Sequence, residues 1–244
     1  MASKQDRYAQ VRQHGPIVRV TDDIWQIEGT FPVGMGMTIT RNMTVLREAG
    51  DLTVVNSVRL DEATERELLK LGNVRHVVKL GHFHGVDDPY YVGKFSAKLW
   101  AQKGAKHYAG LSTEREISEA GPTPLDGFGA AWFVFHHAKM PEAALFLSKA
   151  GILVTCDSVQ NWLPGLPGCS WFARFMMPKM GFPPGPLVGP FWRKYMKIEG
   201  KSLSEDFARL VELPISQVLV AHGVPIRANA SAAIREAAQK AFAK

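Results

Sequence analysis

The stretch Gly81-His82-Phe83-His84-Gly85-Val86-Asp87-Asp88 follows an apolar run, residues 74–80, that is typical of a short buried strand. Alternate residues on extended backbone point the same way, so His82 and His84 are expected to converge on one ion. Imidazole nitrogens suit zinc, iron and manganese, and a carboxylate a few residues later supplies negative charge. The alternative is a solvated loop that contains two histidines by chance.

Three other predicted strands also end in side chains that bind metals. His136 and His137 end one strand, Asp157 follows the run GILVTC, and His222 follows QVLVA. Loops at strand ends are where sheet proteins assemble their sites. Four such ends in one chain favour a metal site over coincidence.

The order of elements predicts a layered fold of α/β or α+β type. Strands come first in each half, and Asp61 is the expected N-cap of a helix that ends at Gly72. Ser148-Lys149-Ala150-Gly151 is typical of a hairpin turn. Strands are predicted at 24–27, 37–46, 52–58, 74–80, 106–109, 132–136, 143–147, 152–155 and 217–221, and helices at 61–72, 90–103, 202–212 and from 226 onward.

In motif order and strand context, the chain resembles the metallo-β-lactamase fold superfamily, and in particular an unassigned bacterial branch of it. That family has H-x-H-x-D-H after a strand, then a His, then an Asp after a hairpin strand, then a final His before Gly. The resemblance implies an α+β fold, an αββα four-layer sandwich of two mixed sheets flanked by helices. It implies a single domain over residues 1–244, with a Pro/Gly/aromatic insertion at about 160–200.

The resemblance also implies a ligand set. The metal ligands would be His82, His84, His137, Asp157 and His222, with the first four around one ion. Asp87 or Asp88 would complete a weaker second site with His222 and Asp157, or would orient the nucleophilic water, and these two are the catalytic candidates. Val86 and Asp87 stand where the family has Asp and His, so one ion is favoured over two. Zinc is the expected ion, with iron and manganese as alternatives.

The function implied by the resemblance is metal-dependent hydrolysis of a small ester, thioester or lactone through a metal-bound hydroxide. The alternative is a degenerate, non-catalytic member of the superfamily that binds a ligand or a partner, which the altered Val86-Asp87 positions motivate. A redox di-iron protein is less favoured, because the chain has no flavin or rubredoxin-like segment to deliver electrons.

Residues 160–200 contain seven prolines, six glycines and three of the six tryptophans, and five of their six charged residues are basic. The segment is interpreted as a lid that forms an apolar substrate pocket with a basic rim, for a small molecule with an anionic end group. A membrane-surface contact or a homodimer contact is the competing use of such a patch. A Pro-stiffened loop packed over the core is the purely structural alternative.

Composition excludes several other classes of protein. Apolar residues make up 46% of the 244 and charged residues 21%, which is ordinary for a folded globular chain. The net charge of +6 is scattered, so no nucleic-acid partner is expected. The N-terminal stretch has no apolar core and no run reaches the ~20 residues of a membrane span, so a cytoplasmic protein without a transmembrane segment is predicted.

A few residues receive no functional role at this stage. Cys156 and Cys169 are predicted to be free thiols. Glu142 is interpreted as a solvated turn carboxylate, with a substitute metal ligand as the alternative, and Arg41 and Asn42 as polar, solvent-facing residues of the second strand.

Overall fold

In the computed structural model, which describes residues 8–243, the first half of the chain forms a seven-stranded sheet. Its strands are neighbours in the order in which they follow along the chain. Pairing is antiparallel from β1 to β4 and parallel from β4 to β7. The strands are β1 (Val18–Thr21), β2 (Ile24–Gly34), β3 (Met37–Glu48), β4 (Asp51–Val55), β5 (Asn73–Lys79), β6 (Lys98–Ala101) and β7 (Arg115–Glu116).

The second half forms a four-stranded sheet in the order β13-β10-β9-β8. The predicted hairpin turn at residues 148–151 joins β9 to β10, and β10 pairs in parallel with β13. A separate two-stranded ribbon, β11 with β12, follows the hairpin. These strands are β8 (Ala130–Val134), β9 (Ala143–Leu147), β10 (Ile152–Val154), β11 (Val159–Trp162), β12 (Gly185–Val188) and β13 (Gln217–Leu219).

Six α-helices lie within the described part of the chain. The Asp61 carboxylate accepts a hydrogen bond from the Thr64 amide, so the predicted N-cap is confirmed. The helix predicted from residue 202 begins with Ser202 as its N-cap, and the Ser202 hydroxyl accepts from the Ser204 amide. The helices are α1 (Glu62–Leu71), α2 (Asp88–Phe95), α3 (Trp171–Met176), α4 (Pro190–Met196), α5 (Leu203–Leu210) and α6 (Ala230–Phe242).

Three hydrophobic cores define four layers. One core joins the inner faces of the two sheets, with Val78 and Trp100 against Leu145 and Val154. A second lies between the seven-stranded sheet and helices α1 and α2. A third lies between the four-stranded sheet and helices α4, α5 and α6. The predicted α+β fold with αββα layering is therefore confirmed.

Two predicted elements differ from the structure. The helix predicted over 90–103 ends at Phe95, because Ser96 takes a left-handed conformation with φ of 53° and the chain then enters β6. Residues 106–109, predicted as a strand, are irregular and enter a turn at Ala109. At 97–101 a short apolar run fits a helix and a strand equally well, and burial of Leu99 and Trp100 in the sheet decides the outcome.

The segment 160–200 contains ordered elements: most of β11, α3, β12 and α4. Met37 of β3 packs with Trp162, Met177 and Phe182 in a small fourth core that fixes the segment beside the seven-stranded sheet. Among residues 8–243, none of the helices combines the length and apolarity that crossing a membrane requires. The first seven residues, part of the N-terminal stretch considered above, lie outside the described range.

Candidate metal centre

His84, Asp157 and His222 meet at one point of the molecule. The two Nε2 atoms of His84 and His222 are 3.0 Å apart, and Asp157 places one carboxylate oxygen 3.6 Å from His84 Nε2 and the other 3.2 Å from His222 Nε2. All three side chains are about nine-tenths buried. Ligands bound tetrahedrally about 2.0–2.1 Å from a zinc ion lie about 3.3 Å from one another, so these spacings fit such an ion.

Each of the three residues follows a strand. His84 lies in the loop after β5 of the seven-stranded sheet, while Asp157 and His222 follow β10 and β13 of the four-stranded sheet. Since β10 and β13 are parallel neighbours, Asp157 and His222 leave the sheet at the same edge. Gly223 permits the close turn after His222, because its φ is +84° and a side chain there would overlap the Asn161 carbonyl.

A backbone contact fixes the tautomer of His222. Its Nδ1 lies 2.9 Å from the Thr40 carbonyl oxygen, which can only accept a hydrogen bond, so Nδ1 carries the proton. In the neutral ring, Nε2 is then a bare lone pair that faces Asp157 and His84. A protonated Nδ1 bound to a backbone carbonyl is the usual support of a metal-binding histidine. The lone pairs of the cluster therefore need a positive partner, either a proton on His84 Nε2 or a metal ion.

The pKa values of the site agree with this requirement. Burial alone would raise the pKa of Asp157, but the adjacent imidazoles of His84 and His222 outweigh burial and hold it far below the usual range. Burial lowers the pKa of His84, and Asp157 opposes that effect only in part. An ionised carboxylate and a readily deprotonated imidazole are the forms that bind metal ions.

His82 does not join the cluster, contrary to the expectation from the H-x-H spacing. The His84 amide donates to the Gly81 carbonyl at 3.4 Å, so residues 81–84 form a turn rather than extended backbone. Residues i and i+2 therefore point in different directions. The His82 ring packs edge-on against Phe83 at a centroid distance of 5.3 Å, and it does not line the cavity described below.

His137 also lies apart from the cluster, and the expected position of this ligand is corrected. The backbone turns after β8, and the amides of His136 and His137 donate to the buried Asp206 carboxylate of α5 at 3.1 and 2.8 Å. The His137 ring faces Asp206 and Glu205 at 3.3 and 3.4 Å. This histidine pair therefore belongs to the contact between the four-stranded sheet and α5.

Asp87 and Asp88, predicted as catalytic, are buried behind the site and do not line its cavity. Asp87 pairs with the Arg41 guanidinium and accepts from the Arg59 amide at 3.0 Å. Asp88 accepts from the Ser57 hydroxyl at 2.6 Å. Both carboxylates begin α2, so the chain has left the site before it reaches them.

Lys79, at the end of β5, forms hydrogen bonds with the backbone of the loop that carries His84. Its ammonium donates to the carbonyl oxygens of His84 and His82, the latter at 3.4 Å. Burial lowers the pKa of Lys79, and the nearby Asp88 carboxylate opposes that effect. Fixed donors of this kind restrict the loop that carries His84.

Glu142 is fully buried beside Asp157, which contradicts its interpretation as a solvated carboxylate. One carboxyl oxygen accepts from the Ser158 amide at 3.0 Å, and the other has no hydrogen-bond partner among the described residues. Burial, followed by the Asp157 charge, raises the pKa of Glu142 well above its usual value. Glu142, Cys156 and Asp157 form a second group of ligand atoms within 4.8 Å of one another.

Cys156 is a buried free thiol, and burial raises its pKa well above the usual value. A neutral thiol beside a carboxyl that holds its proton is a poor metal ligand compared with the His84 cluster. Glu142 and Cys156 are therefore interpreted as buried residues that pack against Asp157.

Arg41 and Asn42 face the interior, and both help to build the site, contrary to the prediction. The Asn42 side chain donates to the carbonyls of Val220 and Gly223 at 2.9 and 2.7 Å, which ties β3 to the turn that holds His222. Arg41 lines the cavity. An Arg-Asn pair inside an otherwise β-rich, apolar strand is the sequence signal that indicates such roles.

A cavity of about 270 Å³ opens over the cluster. Its walls come from the β2–β3 hairpin and from the segment 160–200, and most of them are aromatic or aliphatic. Arg41 and Gln160 are the polar exceptions outside the cluster. The apolar lining comprises Phe31, Val33, Met37, Ile39, Phe83, Val86, Trp162, Met177, Met180, Phe182, Phe191, Trp192 and Tyr195.

Solved structures with the same fold place this site in context. The DIM-1 metallo-beta-lactamase exposed to ceftazidime aligns at a TM-score of 0.62 and 15% identity, over 96% of this chain and 100% of that one. A metallo beta lactamase from Erythrobacter litoralis aligns at 0.59 and 12% identity, over 98% and 96%. The chain has the metallo-β-lactamase fold.

A flavo di-iron protein from Thermotoga maritima aligns at a TM-score of 0.66 and 14% identity, over 95% of this chain and 63% of that one. No family profile matches the sequence, and no curated protein matches it. Proteins with this metallo-β-lactamase fold include metal-dependent hydrolases and an iron protein, and this chain has a candidate metal site at the ends of its strands.

Proposed function

We propose that the protein is a metal-dependent hydrolase that uses one ion, held by His84, Asp157 and His222, to cleave a small apolar ester, thioester or lactone. The observation that carries the proposal is the convergence of three side chains at the base of an apolar cavity, where the two histidine Nε2 atoms and the two Asp157 carboxylate oxygens lie 3.0–3.6 Å from their nearest partners in the cluster. Two histidines and one carboxylate are a common ligand set of catalytic zinc sites with an open position. The same set also suits iron.

A bound ion would supply Lewis-acid polarisation of the scissile carbonyl and an activated water as nucleophile. The residues of the chain provide orientation. Thr40 holds the His222 ring through Nδ1, and Trp162 stacks on the same ring at a centroid distance of 6.0 Å. Asn42 and Lys79 hold the two histidine loops from opposite sides. Such fixed geometry keeps the ligands aligned as substrate binds.

The cavity supports an apolar substrate with one polar end. Its aromatic and aliphatic walls favour an acyl or aryl group by burying apolar surface. Arg41 lines the same cavity, and its Nε has no hydrogen-bond partner among the described residues. We expect Arg41 to orient a carbonyl or carboxylate oxygen of the substrate.

The test is hydrolysis of p-nitrophenyl esters and acyl thioesters of increasing chain length by protein reconstituted with zinc, iron or manganese. We expect activity that a chelator removes and that rises with acyl length until the cavity is filled. His222→Ala should abolish it, while the matched variant His137→Ala, at a histidine that contacts α5, should retain it. Activity that survives chelation, or equal loss in both variants, would contradict the proposal.

The second candidate is a non-catalytic binding protein for an apolar ligand. It is favoured by the small size of the cluster, since His82 and His137 are both absent from it. This candidate predicts that an apolar probe binds in the cavity with the same affinity in the presence and absence of chelator, without turnover of any ester tested.

A further inference from the structure

The mouth of the cavity is surrounded by exposed aromatic side chains. Phe83, Phe191 and Tyr195 line the cavity and are also exposed, and the Tyr195 ring contacts the rings of Phe83 and Phe191 at centroid distances of 6.1 and 6.4 Å. Trp171 and Met35 are 79% and 81% exposed. Together with Phe175, these residues define an apolar face: Met35, Phe83, Trp171, Phe175, Phe191 and Tyr195.

Contacts within the protein fix these residues on one side of the molecule. The Ser170 hydroxyl accepts from the Thr38 amide at 3.1 Å, which places the start of α3 against the β2–β3 hairpin that carries Met35. Phe182 packs in the same core as Ala173 of α3 and contacts the Phe191 ring of α4 at 5.3 Å. The two short helices and the hairpin therefore form one continuous rim.

Helices α3 and α4 each present a pair of aromatic residues outward. Trp171 and Phe175 are four residues apart, as are Phe191 and Tyr195, so each pair shares one side of its helix. The opposite side of each helix is already packed, through Ala173 in α3 and Trp192 in α4. Trp171, Phe175 and Tyr195 are thus more than half exposed, and Phe191 is 43% exposed although its ring contacts Phe182.

Basic side chains surround this apolar face. Arg174, Lys179, Lys194 and Lys197 are all exposed, and within residues 8–243 none of them pairs with a carboxylate. Arg193 is also exposed, but it donates to the Ala241 carbonyl of α6 and is not part of this set. Lys179 Nζ lies 3.6 Å from the centre of the Phe175 ring, and Lys194 Nζ lies 5.9 Å from that of Tyr195. Aromatic rings with ammonium groups next to them are typical of protein surfaces that lie at a bilayer interface.

We propose that this face docks on an anionic lipid bilayer, with the aromatic side chains in the headgroup region and the four basic residues against lipid phosphates. A second copy of the chain fits less well, because a symmetric contact would bring the same four positive charges together. If the hydrolase proposed above is correct, an acyl substrate can pass from the bilayer directly into the cavity, since Phe83, Phe191 and Tyr195 belong to both surfaces.

The experiment measures co-sedimentation of the full chain with phosphatidylcholine vesicles, with and without phosphatidylglycerol, at low and high salt. We expect binding to the phosphatidylglycerol vesicles that weakens with salt, together with a blue shift of tryptophan emission. Both Trp171→Ala/Phe175→Ala and Lys194→Gln/Lys197→Gln should weaken binding by at least about tenfold, because the first pair removes buried apolar area and the second removes charge. Leu69→Ala/Lys70→Gln, on the exposed side of α1, is the matched control and should bind like the wild type.

Three outcomes would overturn the proposal. The wild type could fail to bind phosphatidylglycerol vesicles, or the Trp171→Ala/Phe175→Ala variant could bind as well as the wild type, which would indicate general attraction to polyanions such as nucleic acid. A dimer in solution that this variant dissociates, without vesicle binding, would assign the face to self-association. The readout needs no catalysis, so it remains informative if the protein proves inactive on esters.

Discussion

Two groups of histidines follow strands of this molecule, and they have different partners. His84 and His222 face each other and Asp157 beneath an apolar cavity, and their Nε2 atoms converge. His136 and His137 follow β8, but their backbone amides and the His137 ring contact Asp206 of α5. A buried carboxylate accompanies both groups. In the first group it faces side-chain lone pairs, and in the second it accepts backbone N–H donors.

The difference shows that a histidine at a strand end becomes a candidate metal ligand only when the local backbone directs its ring towards the other ligands. Asp206 satisfies the amides of the turn after β8, so its charge stabilises the fold. Asp157 receives no comparable set of backbone donors, and the two imidazoles offset its burial. Histidine and aspartate therefore form a candidate metal centre around Asp157, whereas around Asp206 they stabilise the turn after β8.

The largest expected effect comes from Asp157→Asn. This substitution keeps the size of the side chain but removes the negative charge that, among residues 8–243, faces both imidazoles. We expect ester hydrolysis to fall by at least about 100-fold, because the amide is a weak ligand for a divalent cation. Steady-state rates with added metal provide the measurement, and a rate within a factor of about three of the wild type would count against the site.

The matched change in the other group is Asp206→Asn, and its effect should appear in stability. The buried Asp206 carboxylate accepts from two amides and pairs with Arg209 at 3.1 Å, and the amide replaces one acceptor oxygen by a donor. We expect the free energy of unfolding to fall by about 2–3 kcal/mol in urea titrations. The rate per folded molecule should stay unchanged, and a specific loss of catalysis would place His137 back in the active site.

Glu142→Gln should remove a pH dependence of stability. The pKa of Glu142 is raised in the folded state, so the folded protein holds a proton that the unfolded chain releases above its ordinary value of 4.5. The free energy of unfolding of the wild type should therefore decrease as pH rises above that value, by up to about 1.4 kcal/mol per pH unit.

The glutamine variant should lack this decrease, and it should be more stable than the wild type at neutral pH. Asp157 does not confuse the comparison, since its lowered pKa affects stability only at lower pH, where stability falls with acidification. Urea titrations of both proteins at about pH 5 and about pH 7 make the comparison. Parallel slopes would show that Glu142 is ionised in the folded protein.

The smallest expected effect is that of His82→Ala. Its ring contacts Phe83 at the surface of the turn and faces none of the cluster atoms. We expect stability within about 0.5 kcal/mol of the wild type and an unchanged rate of hydrolysis. Equal loss in His82→Ala and His84→Ala would restore the H-x-H interpretation and contradict the turn described here.

The fold was predictable because its signals are local and repeated. Alternating apolar strands, the Asp61 and Ser202 caps and the hairpin at 148–151 all agree with one layered arrangement. The strand-end positions of His84, Asp157 and His222 were predictable for the same reason. The resemblance also implied that these three residues share a metal site, but which of the five expected ligands meet depends on the local backbone at each strand end.

The remaining errors come from one local turn and from contacts between residues that are separated along the chain. The turn at residues 81–84 reverses the direction of His82, and Asp206, about 70 residues beyond His137, determines the orientation of that histidine. Burial of Arg41, Asn42 and Glu142 also depends on partners far along the chain, namely Asp87, Val220 and Ser158. Periodicity within one segment carries no information about such partners.

Elemental analysis of protein purified without chelator tests the central claim most directly, with wild type, His222→Ala and His137→Ala measured side by side. The account predicts about one equivalent of a transition metal in the wild type and in His137→Ala, and close to none in folded His222→Ala. A wild type that stays metal-free after incubation with zinc, iron or manganese would contradict the account, as would equal metal content in all three proteins.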